Sequence, residues 1–80
     1  MASDKYQMVV YWQGSTISVM TWNAFEVEAI AEEPDRAGQV FIGSFLPSAQ
    51  ELSVKKMNGV YFGSYMLGVA REYKLVWWRR

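Results

Sequence analysis

The residues best suited to contact chemistry lie at the C-terminus, in the run from Arg71 and Glu72 through Tyr73, Lys74, Leu75, Val76, Trp77 and Trp78 to Arg79 and Arg80. If this stretch is a strand, Trp77 and Trp78 point to opposite faces, so a one-sided core takes at most one and leaves the other for contact. An indole flanked by Arg79 and Arg80, with Arg71, Tyr73 and Lys74 nearby, suits stacking on a nucleobase or anchoring a protein interface. A plainer reading fits the same residues: a helix or a second subunit covers both tryptophans, and the arginines keep the chain end soluble.

Catalytic chemistry is poorly provided for. The chain has no histidine and no cysteine, which removes the commonest general base and metal ligand and the best nucleophile. Ser44 and Ser64, with Lys55 or Lys56 as candidate bases, lack the flanking glycines of a nucleophile elbow. Glu28 and Glu32 fall one turn apart on a helix and with Asp35 form a candidate hard-cation set, although a charged solvent face accounts for them more simply. Gly59, Gly63 and Gly68 match neither the dinucleotide fingerprint nor the P-loop spacing. No enzyme, metal or cofactor is expected.

The elements that must position the tail are bounded by composition. Eighty residues suffice for a single domain, residues 1–80, with one core. With 51% hydrophobic and 20% charged residues the chain is apolar enough to fold, and without cysteine it must rely on packing or self-association. Aromatic residues reach 16%, with four tryptophans, more than so small a core readily encloses. The net charge is zero but divided: the first fifty residues are acidic on balance and the last thirty basic. That division gives either one basic face for an acidic partner or two halves that neutralise each other on folding. The opening residues lack a basic region followed by an apolar stretch, as a secretory signal requires. Residues 6–25 are uncharged, but polar residues interrupt them in an alternating, strand-like pattern. A cytoplasmic protein without a membrane span is expected.

Residues 5–12 and 16–22 read as paired strands joined at Gln13 and Gly14, with Val10 facing Ile17 and Met8 facing Val19. Tyr6, Met8 and Val10 would share the core face, and Gln7, Val9 and Tyr11 the opposite, partly wet one. Asn23 to Glu26 has the form of a capping box, so residues 24–33 favour a helix with Ala24, Val27, Ile30 and Ala31 buried, although Phe25, Val27 and Ala29 alternate with Glu26 and Glu28 as in a strand. Residues 34–38 then read as a turn, and 39–45 as a central strand carrying Val40, Phe41 and Ile42. Residues 48–58 are either a short helix capped by Ser48 or part of a hairpin turning at Asn58 and Gly59. Strands are favoured for 60–69 and 73–78. Together these predict an α+β fold: a small antiparallel sheet of four to five strands with one or two short helices packed on one face.

The functional expectation is a non-enzymatic protein-binding module, a small inhibitor, adaptor or regulator of a larger protein and a candidate homodimer. Its size also matches the inhibitors that phages and other mobile elements encode. Nucleic-acid binding through the basic, aromatic C-terminal half is the alternative, which zero net charge disfavours. Interfacial membrane contact through Trp77, Trp78 and the arginines is a weaker third.

Overall fold

A computed structural model describes residues 4–13, 22–45, 52–67 and 71–80. Within them five strands form one antiparallel sheet: β1 (Asp4–Gln13), β2 (Trp22–Ala31), β3 (Ser53–Met57), β4 (Val60–Leu67) and β5 (Arg71–Arg79), in the spatial order β2-β1-β5-β4-β3. A 3-10 turn (Pro34–Arg36) leads into helix α1 (Ala37–Phe45), which follows edge strand β2 and precedes the opposite edge strand β3. Among the described residues no helix is long and apolar enough to cross a membrane.

The expected α+β class is corrected by this arrangement. Seventy per cent of the described residues are in strands, and the only helical segment among them spans 12 residues, so the fold is mostly sheet. Two segments account for the correction. Residues 24–31, most of the helix expected over 24–33, are instead strand and pair with β1 along their whole length, Met8 opposite Val27 and Val10 opposite Phe25. Alternation prevailed over propensity, which favours a helix by only tenths of a kcal/mol per residue: Ala29 and Ala31 are buried while Glu26, Glu28 and Ile30 are exposed. The same pairing replaces the expected Val10–Ile17 and Met8–Val19 partners, and residues 14–21, which include most of the expected second strand, lie outside the described residues.

Residues 39–45, expected as a central strand, are helical instead. Pro34 opens the helical segment, where its fixed φ fits and its missing N–H is no loss; the expected turn at 34–38 is therefore the start of this segment. Ala37, Gly38, Phe41 and Ile42 are buried and Gln39, Val40, Gly43 and Ser44 exposed, a one-faced helical pattern rather than a strand apolar on both sides. Local residue type favoured a strand at Val40 and Ile42, but the sheet offered an apolar face that needed cover. Of the two alternatives for 48–58, the hairpin is the one formed. Asn58 and Gly59 have φ of 52° and 77°, the paired positive values of a two-residue turn matched to strand twist, and Lys56 lies opposite Tyr61. The Ser48 capping box lies outside the described residues.

Trp77 organises the core. Fully buried among Tyr6, Met8, Val10 and Leu75, its indole stacks on Tyr61 with centroids 5.7 Å apart, and its Nε1 donates to the Pro34 carbonyl at 2.8 Å. Gly38 on the helix and Gly63 on β4 admit the ring: a Cβ at either position would fall 2.7 Å or 2.9 Å from it. Gly38→Ala should therefore destabilise the protein by about 1–3 kcal/mol through overpacking. Gly43, also helical but with open space around a Cβ, gives the opposite result: Gly43→Ala should stabilise by about 0.5–1 kcal/mol. Urea unfolding of both variants checks the signs, and equal effects would contradict this packing of helix on sheet.

Candidate functional site

Strand alternation divides the C-terminal residues between the two faces of β5. Arg71, Tyr73, Trp77 and Arg79 point to the side covered by α1, whereas Lys74 and Trp78 point to the other, with Arg80 just past the strand end. They do not form one cluster. Trp77 is enclosed and Trp78 only half-buried, as their adjacency on a strand requires.

The terminal arginines are already engaged. Arg79 pairs with Asp4 at 3.2 Å and donates to the Tyr6 hydroxyl at 3.1 Å and 3.4 Å. The hydrogen bond to Tyr6, then the nearby Asp4 carboxylate, raise its pKa above the ordinary arginine value. Arg80 lies 3.8 Å from Glu28, which Lys5 also reaches at 3.4 Å. Acidic and basic halves of the sequence thus meet where β1, β2 and β5 adjoin. The candidate cation set is dispersed by the same topology: Glu28 faces outward from a strand, Glu32 follows that strand, and Asp35 sits in the 3-10 turn.

The face away from α1 gathers residues from all five strands. Cross-strand pairing builds one lateral row, Glu26 (β2), Val9 (β1), Val76 (β5), Phe62 (β4) and Lys55 (β3). Below it run Glu28, Gln7, Trp78, Val60 and Met57; above it, Ala24, Tyr11, Lys74, Ser64 and Ser53. Its centre is apolar and aromatic. Tyr11 and Phe62 are each 38% exposed, and with Trp22, Lys74 and Val76 they line a shallow groove. The Lys74 ammonium lies over the Trp22 ring at 5.2 Å. Ser64 donates to Glu72 at 3.5 Å and Ser44 faces outward on α1, so neither hydroxyl is held against a base.

No family model, curated protein or solved structure matches this chain. The site therefore stands on its own geometry.

A second aromatic groove lies on the covered side, where Trp12, Phe25, Phe41, Phe45, Arg71 and Tyr73 meet. Phe41 and Phe45 stack at 4.8 Å, and Phe45 is 64% exposed. This groove is built where helix meets sheet, with Phe25 41% exposed at its edge, while among the described residues no element packs on the opposite face. Val9 and Tyr11 lie on the face expected to be partly wet, and the alternation of Val60, Phe62, Ser64 and Met66 is a local signal for the same face of β4. Nothing local joined these to Glu26 or Lys55, whose places follow from pairings distant in sequence.

Proposed function

We propose that the chain is a non-enzymatic protein-binding module whose contact surface is the uncovered face of the sheet. One observation carries this reading: an antiparallel sheet with α1 on one side presents valines, Tyr11, Phe62 and Trp78 on the other, where a purely solvent-facing sheet would alternate to polar residues. Apolar centres ringed by charge mark docking surfaces. Here Glu26, Glu28, Lys55 and Lys74 supply the rim. The edges are less suited to strand addition, because β3 is short with two lysines and β2 carries Glu26 and Glu28. Inhibitor, adaptor and regulator are the roles such a surface serves without catalytic groups.

Nucleic acid is the less favoured partner. Trp77 is enclosed, Arg79 and Arg80 are paired with carboxylates, and on the open face Lys5, Lys55 and Lys74 are balanced by Glu26, Glu28 and Glu72, which leaves little net cationic field for phosphates. Immobilised protein is expected to retain a protein from nuclease-treated lysate, and Phe62→Glu to lose it. Retention that disappears with nuclease would transfer the reading to nucleic acid.

A further inference from the structure

We propose that the occupant of the open face is a second copy of this chain, related by a two-fold axis running along β5 between two stacked sheets; this rests on the open face being the binding surface. The sequence of charges along the central row singles out this axis. From β2 to β3 the row reads acidic, apolar, apolar, apolar, basic: Glu26, Val9, Val76, Phe62, Lys55. Rotation about an axis parallel to β5 reverses the row, so that Glu26 meets Lys55 of the copy, Val9 meets Phe62, and Val76 meets itself. A two-fold perpendicular to the strands would instead set each edge strand on its own copy, Glu26 near glutamates and Lys55 near lysines, and like charges facing each other oppose association.

Three further features suit the same arrangement. Among the described residues neither Glu26 nor Lys55 belongs to an ion pair, whereas Glu28 is held by Lys5 and Arg80. On the axis itself, Trp78 faces its own copy, a favourable aromatic contact, and the two charged residues of β5 on this face are each held to one side, Lys74 over Trp22 and Glu72 toward Ser64 of β4. The extent of the face is adequate as well. Five strands about 4.8 Å apart, paired over seven or eight residues at ~3.4 Å each, span on the order of 600 Å² before side-chain relief, close to the ~800 Å² each partner gives to a standard interface. Zero net charge places no long-range repulsion between copies. Sheets that stack this way lie about 10 Å apart with strands within ~30°.

Charge reversal tests the geometry by sedimentation velocity at tens of micromolar. Wild type is expected at twice the 9.2 kDa chain mass, and Glu26→Lys or Lys55→Glu alone to weaken the dimer roughly tenfold, because each sets two like-charged contacts across the axis. An equimolar mixture of the two single variants should recover the wild-type species, since every contact in the heterodimer is again between opposite charges. The doubly reversed chain, Glu26→Lys with Lys55→Glu, should recover it as well. Circular dichroism on each variant confirms that these surface changes keep the fold. A monomeric mixture, or single variants that associate like wild type, would overturn the proposed axis. A monomeric wild type whose capture of a different, nuclease-resistant protein depends on Phe62 would overturn self-association and leave the binding face standing. If neither association occurs, both readings fall.

Discussion

Trp77→Ala is expected to remove about half of the protein's folding stability. Removing a large buried aromatic costs about 3–5 kcal/mol, against a total stability of about 4–12 kcal/mol for 80 residues. Collapse of the site offers little relief, because Gly38 and Gly63 have no side chain to move into the space. The variant also strips the Pro34 carbonyl of its donor. Trp78→Ala, one residue along and on the other face, should cost less than about 1.5 kcal/mol. Urea unfolding followed by circular dichroism compares them, and equal losses would mean that the two indoles are not divided between core and surface.

Phe62→Glu should do the reverse: keep the fold and abolish binding. The side chain stands on the open face between Val76 and Lys55, so a carboxylate there remains hydrated in the free protein and changes stability by no more than about 1 kcal/mol. Once a partner covers the face, the same carboxylate is buried near the centre of the contact. Loss of the aromatic anchor and burial of the charge should together weaken binding by roughly 100-fold or more. Titration against the captured partner, or against unlabelled copies of the chain, measures this. Unchanged affinity would remove the open face from the contact.

Strands were legible where alternation and turn chemistry agreed. β1, β4 and β5 carry period-two patterns, and Asn58 with Gly59 specifies a turn that only positive φ satisfies. The exchange of helix and strand in the middle of the chain has a common cause. Residues 24–31 contain good helix formers and residues 39–45 contain β-branched and aromatic ones, so residue type pointed away from the outcome in both. Tertiary pairing decided: β1 needed a neighbour on the side away from β5, and the face bearing Trp77 needed a lid whose Gly38 admits the ring.

The site was legible only in part. The opposite orientations of Trp77 and Trp78 follow from adjacency alone, but which of them faces the core depends on where α1 lies. The engagement of Arg79 and Arg80 required Asp4 and Glu28, distant in sequence and brought near by β1 lying between β2 and β5. Charge division between the halves had already suggested that they neutralise each other, and these ion pairs are where they do so. Edge strands β2 and β3 set Glu26 and Lys55 at opposite ends of one row, a consequence of strand order that no local motif encodes.

Hydroxyl-radical footprinting across a dilution series tests most directly the claim that the open face is a contact surface, because its reporters sit on known sides of the sheet. Tyr11, Phe62 and Trp78 should be protected at high concentration and become reactive on dilution or in Phe62→Glu, where Tyr11 and Trp78 remain to be read. Phe25 and Phe45, exposed on the covered side, should react equally throughout. Protection that appears instead at Phe25 and Phe45, or open-face labelling that neither concentration nor nuclease-treated lysate changes, would mean that the open face is not a contact surface.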